Sequence, residues 1–292
     1  MNQVIPTQKT GIRTLFVGPD GIRAGWSTLI FVALFIAVLL ATSNLLHLQP
    51  PKDEISIKGG YFAELVQIFS VLVAMAVMGK IEGKSMWSYG LSGSRSLTKF
   101  AIGWIAGLIM LSTVIAILYC GGYLVIDGLA LLPGSIFGYG LIWFVGFALV
   151  GIAEELVFRG YLQNTLTRGI GKWPAFVVLA LLFAVAHMQN GGENAVGLIC
   201  VVAAGFLLCI LRSQSGSLWL GIGVHAAWDW SQSFLYGTPD SGLMVQGHML
   251  LTHAAGDVKL SGGAVGPEGS LFAQPVLLIG ILVLIWVCRR VK

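Results

Sequence analysis

Glu154, Glu155 and Arg159 sit together in "GIAEELVFRGYL", residues 151–162, at the end of a run with no charged residue from Ser135 onward. Phe183 and His187 are four residues apart in a second apolar run, and His225 and Asp229 are four apart in a third. An ionisable side chain at mid-bilayer costs about 2.5–3.5 kcal/mol on insertion scales, so each of these groups needs a partner or a task. At 3.6 residues per turn Glu155 and Arg159 share a helix face, in the acid-first order that favours pairing. Glu154 is rotated about 100° from Glu155 and is left to face elsewhere. His225 and Asp229 stack on one face of their helix, as do Phe183 and His187.

A carboxylate, two imidazoles and a second acid are the parts needed to activate water against an amide. In one version His187 and His225 bind Zn²⁺, Asp229 is a third ligand or orients His225, and Glu154 takes the proton from the bound water. In the other, no metal is used: Glu154 and His187 activate the water, while His225 and Asp229 stabilise the oxyanion. An aspartate donates to an oxyanion only when protonated, which weighs toward the metal or toward a role orienting His225. Glu155, Arg159 and Phe183 read as supporting residues, the first two as a structural ion pair. Each histidine alone would read as hydrogen-bonding glue between helices. Two of them, with an acid not claimed by arginine, strain that reading. Neither GxSxG nor HExxH occurs, so no serine elbow or two-histidine zinc helix is available.

The elements that must position these residues are read from composition. Of 292 residues, 56% are hydrophobic and only 10% charged, with a mean hydropathy of +0.85. That is too little charge to cover a water-facing surface, so the chain reads as a polytopic membrane protein. The net charge of +4 comes from basic residues scattered near the ends of apolar runs. A nucleic-acid binder would cluster them on one face. Eight runs are long enough to cross a bilayer: 25–46, 61–79, 100–126, 135–158, 173–190, 194–211, 217–235 and 273–288. The first is too long for a signal-peptide core and is expected to stay as a span. With the N-terminus in the cytoplasm, the turns alternate so that all 17 Lys and Arg residues except Lys52, Lys58 and Lys259 lie inside. This supports an all-α bundle of about eight transmembrane helices with both termini cytoplasmic.

Depth follows from the same layout. If the fourth run continues as helix through "YLQNTLT", Glu154 and His187 both lie roughly 21–23 Å from the turn "RGIGKWP". His225 joins them if its own turn dips inward or its span tilts. Glu64 is expected at the interface, and His248 and His253 in a long external Gly-rich loop from 237 to 270. Trp26, Trp104, Trp173, Trp219 and Trp286 read as interfacial anchors. Cys120, Cys200, Cys209 and Cys288 lie in apolar runs without CxxC spacing and read as buried small hydrophobes.

"EELVFRG", "FAVAH" and "HAAWD", in this order and each on its own span, resemble the EExxxR, FxxxH and HxxxN/D signature of the CAAX-protease and bacteriocin-processing (CPBP or Abi) family. The resemblance covers about 135–235. It implies an intramembrane endopeptidase with Glu154, His187, His225 and Asp229 as the catalytic set. It also implies a peptide or protein substrate met at the lipid bilayer, and a place in a bacterial cytoplasmic membrane. The prenyl-protein proteases of the family carry Asn where this chain has Asp229. The chain then divides into an N-terminal segment with three spans (1–134), a catalytic core (135–235), and an external loop with the last span (236–292). A second reading is a non-catalytic immunity or regulatory protein that docks a peptide or protein partner in the same helical groove. A transporter is disfavoured, because neither an internal repeat nor a pair of broken helices is found. Cofactor choice stays open between Zn²⁺, held by His187, His225 and Asp229, and none. Nucleic acid is not an expected partner, and nothing in the sequence sets the oligomeric state.

Overall fold

Long apolar stretches without proline leave the backbone one way to satisfy its polar groups in lipid, which is the α-helix. The computed structural model, which describes residues 12–19, 21–49, 54–188, 190 and 194–290, is built accordingly. Lys9, Lys52 and Lys292, three of the basic residues used to orient the chain, lie outside the described residues.

A short turn α1 (Ile12–Phe16) and a two-residue hairpin, β1 (Val17–Gly18) with β2 (Gly21–Ile22), precede α2 (Ala24–Leu45). Strand β3 (Glu54–Ile55) leads into α3 (Ile57–Glu82), whose start is capped by the Ser56 hydroxyl and whose end is turned by Gly83 at φ 66°. Next come α4 (Ser96–Cys120), β4 (Leu124–Leu129) and α5 (Pro133–Glu155), the last opened by Pro133 at its first turn. A π-helical stretch, Leu156–Leu162, carries α5 directly into α6 (Gln163–Ile170). Helices α7 (Lys172–His187), α8 (Ala195–Ser215) and α9 (Trp219–Trp230) follow. The external segment holds β5 (Met244–Val245), β6 (Leu250–Ala254) and α10 (Val258–Ser261), and α11 (Ala273–Arg290) closes the chain.

All eight predicted runs therefore contain a helix. Among the described residues, five helical stretches are long and apolar enough on their own to cross a membrane, with α7 and α11 shorter apolar helices beside them. Large apolar side chains such as Leu29, Ile105, Leu182 and Ile279 face outward from the bundle, as a lipid-facing surface requires. Inside, one apolar cluster joins α4, α8, α9 and α11, and another joins α2, α3, the π-helical stretch and α7. Small residues set the tightest approach, between α4 and α9. A Cβ at Gly103 would strike the Leu220 carbonyl, and one at Gly223 would strike that of Phe100.

The structure departs from expectation at three places. The third run does not remain helical to 126: the helix ends at Cys120, and β4 pairs antiparallel with β6. The fourth run is longer than predicted, because α5, the π-helical stretch and α6 form one rod from Pro133 to Ile170. The segment 237–270 is not an open Gly-rich loop. It is tied to the bundle by β4–β6, by the parallel β3–β5 pair and by Trp143, whose indole N–H donates to Gln246 O at 2.8 Å.

Candidate active site

Glu155 ends the α-helical part of α5, and the π-helical stretch begins with the next residue. A π-turn widens the helix locally and re-aims its side chains, which is why such turns gather at functional sites. The rod is held at its far end by Glu82 of α3, which accepts from Tyr161 Oη at 2.7 Å and pairs with Arg168 at 3.3 Å.

Glu155 and Arg159 are paired as predicted. Arg159 Nη1 donates to Glu155 Oε1 at 2.9 Å, with both side chains essentially buried. Its other terminal nitrogen donates to Gly205 O on α8, and its guanidinium lies 4.3 Å above the Phe183 ring. The predicted division of labour between the two glutamates is also seen. Glu154 Oε2 is buried without a hydrogen-bond partner and lies 3.6 Å from His225 Nε2.

His225, on α9, is the hub. Its Nδ1 lies 3.3 Å from Glu155 Oε1, and its Nε2 lies 3.6 Å from both Glu154 Oε2 and Asp229 Oδ2. A carboxylate oxygen only accepts, so the proton on Nδ1 points at Glu155 and Nε2 is turned toward the other two acids. Sequence reasoning assigned the orienting of His225 to Asp229. It missed that Glu155 does so from another helix.

His187, near the end of α7, has Nδ1 2.9 Å from Phe183 O. A carbonyl only accepts, so Nδ1 carries the proton and Nε2 keeps its lone pair. The Phe183 ring packs against both imidazoles, 4.5 Å from that of His187 and 6.0 Å from that of His225. One phenyl ring thus touches both histidines and the arginine.

These groups share one cavity of about 640 Å³, lined by Glu154, Phe183, His187, His225 and Asp229 together with residues of α2, α3, α8 and α11. Glu64 of α3 lines it too, with its Oε2 buried and without a hydrogen-bond partner. Glu64, expected at the interface, thus also faces the cavity, on a helix packed against α5. No signal at its own position marked it, since it lies only seven residues into its helix. His248 and His253 do not line the cavity. His253 instead pairs with Asp127 across β4–β6 at 2.7 Å. Trp104, expected as an anchor, packs against Phe144 and Trp230.

The residues expected to hold Zn²⁺ do not form a close ligand set. His225 and Asp229 are neighbours, whereas His187 is bonded to the Phe183 carbonyl and packs on the Phe183 ring. Among the described residues no three His, Cys, Asp or Glu side chains are grouped to hold a metal ion. As placed, the donors do not fit the ion.

The arrangement can hold a water molecule against a carboxylate, with imidazole nitrogens at hand, inside a wall of apolar side chains. No curated protein matches the chain. Residues 136–231, which carry all three motifs, match the family model described as Type II CAAX prenyl endopeptidase Rce1-like, so this stretch is similar to the family that its motifs resemble.

Proposed function

We propose that the protein is an intramembrane endopeptidase in which Glu154 activates water against a peptide carbonyl. The observation that carries this reading is the bare, buried Oε2 of Glu154 facing His225 Nε2 in a cavity large enough for a peptide segment. Glu154 takes a proton from the water as its oxygen bonds to the carbonyl carbon. His187 Nε2, with its lone pair kept free by the Nδ1–H bond to Phe183 O, helps hold that water. His225, its Nδ1–H aimed at Glu155, carries a second proton on Nε2 beside Glu154 and Asp229 and donates it to the carbonyl oxygen as that oxygen gains charge. When the tetrahedral species collapses, the carbon–nitrogen bond breaks and Glu154 returns the proton to the leaving amine.

The structure also bears on where the substrate is met. Lys99 donates to Ser215 O and Arg168 pairs with Glu82, so the basic turns after α3, α6 and α8 gather at one end of the bundle. The cavity lining runs out toward the other end, to Leu48, Gln49 and Glu54. With the basic end cytoplasmic, we place the protein in a bacterial cytoplasmic membrane with the cavity approached from the outer face.

The test is peptide cleavage by detergent-purified protein, comparing wild type with Glu154→Gln and His187→Ala. General-base loss is expected to lower turnover by about 10²–10⁴-fold. Equal turnover by all three proteins ends the hydrolase reading and leaves the cavity as a docking groove.

A further inference from the structure

The cavity wall is unusual in its charge. Among the described residues, Glu54, Glu64, Glu154, Asp229, Asp240 and Glu268 line it, with two imidazoles and no lysine or arginine. Most of these acids have work or partners. Glu154 and Asp229 face His225. Asp240 accepts from the Ser233 hydroxyl at 3.2 Å. Glu268 accepts from the backbone N–H and the hydroxyl of Ser241. Glu64 is different: its buried Oε2 has no hydrogen-bond partner in the fold, although it sits on the cavity wall.

Collecting carboxylates in a low-dielectric pocket is costly unless cations offset it. Outside the membrane-spanning helices the strain is visible at Asp240, where burial, with the charge of Asp229 nearby, pushes the carboxyl well above its usual range. A metal ion would need its ligands drawn together around it, and among the described residues no such group exists. An ammonium or guanidinium on a long side chain does not need such a close group. It is larger, and it reaches several acceptors through separate N–H groups.

We propose that the cavity selects peptides bearing a lysine or arginine side chain close to the bond attacked, with Glu64 and Asp240 receiving the cation. This rests on the peptidase reading and names its substrate class. Glu64 lies seven residues, roughly 11 Å along the helix, from Ile57 at the start of α3. Asp240 belongs to the external segment 237–270. The two acids therefore approach the cavity from the outer-face side, ahead of Glu154. A peptide entering from that side passes them first.

Binding is measured on Glu154→Gln protein by fluorescence anisotropy with two labelled nonapeptide pools. Both have random apolar residues around a central position, which is lysine in one pool and norleucine in the other. The lysine pool is expected to bind at least about tenfold more tightly, the worth of a charged hydrogen bond. That preference is expected to vanish in Glu154→Gln/Glu64→Gln and to shrink in Glu154→Gln/Asp240→Asn. Should the Glu64 variant fail to fold, the Asp240 variant carries the test alone. Equal affinity for the two pools, or no measurable binding of either, overturns the proposal. So does a preference that survives the substitutions. Because binding needs no turnover, failure of the peptidase reading shows separately, as absence of cleavage of the same pools by wild type.

Discussion

His225 Nδ1 lies 3.3 Å from Glu155 Oε1, the same oxygen that receives Arg159 Nη1 at 2.9 Å. One carboxylate oxygen therefore joins α9 to the π-helical turn and fixes which imidazole nitrogen faces the cavity. The ion pair that reads in sequence as structural also aims an imidazole of the candidate site.

Glu155→Gln separates these two roles. It leaves the buried Arg159 without a counter-charge, at about 3–5 kcal/mol, and it loosens His225, where misplacement of about 1 Å costs about 10²-fold in turnover. Thermal unfolding and peptide hydrolysis should both fall. In Glu155→Gln/Arg159→Met the orphaned charge is gone, so stability should recover while turnover stays low. If turnover returned together with stability, Glu155 would be only a scaffold residue.

Phe183 is the common wall of three groups: its ring contacts the Arg159 guanidinium and both imidazoles, and it is 3% exposed. Phe183→Ala should cost about 3–5 kcal/mol through the cavity it opens. Phe183→Leu keeps apolar bulk but loses the cation–π contact, worth about 2 kcal/mol when desolvated. Unfolding of the leucine variant in detergent should sit between alanine and wild type. Wild-type stability in that variant would show that the ring face contributes nothing.

Much of this site is legible in the sequence, for a physical reason. Ionisable groups are too costly in lipid to be placed idly, so Glu154, His187, His225 and Asp229 stand out, and helical periodicity separates Glu154 from Arg159. What is not legible depends on packing between elements. Nothing near Glu64 tells that α3 turns it toward Glu154. The contact between Glu155 and His225 spans seventy positions. The π-helical turn has no periodic signature, and "LVIDGL" continues an apolar run so smoothly that only its pairing with β6 identifies it as a strand.

Metal removal tests the route through Glu154. With no three His, Cys, Asp or Glu side chains grouped to hold an ion among the described residues, hydrolysis should persist after dialysis against EDTA and 1,10-phenanthroline, and added Zn²⁺ should not raise it. Loss of activity on chelation, restored by Zn²⁺ in proportion to metal bound, would instead place an ion between His225 and Asp229 and require His187 to swing toward them.

The height and tilt of α9 decide where His225 sits, and glycines decide how closely α9 lies on α4. At Gly223, two residues before His225, a methyl group would run into the Phe100 carbonyl and crowd the Trp104 amide nitrogen. Backbone cannot move aside as a flexible side chain can, so Gly223→Ala must push the helices apart. Overpacking of this kind costs about 1–3 kcal/mol, and the displaced imidazole should lose its hold on Glu155. Gly138→Ala is the matched control, because a Cβ there meets nothing within 4 Å. Gly223→Ala should lower both the unfolding temperature and turnover, while Gly138→Ala should leave both near wild type. If Gly223→Ala were as active and stable as the control, the close approach of α4 and α9 would not be what positions His225.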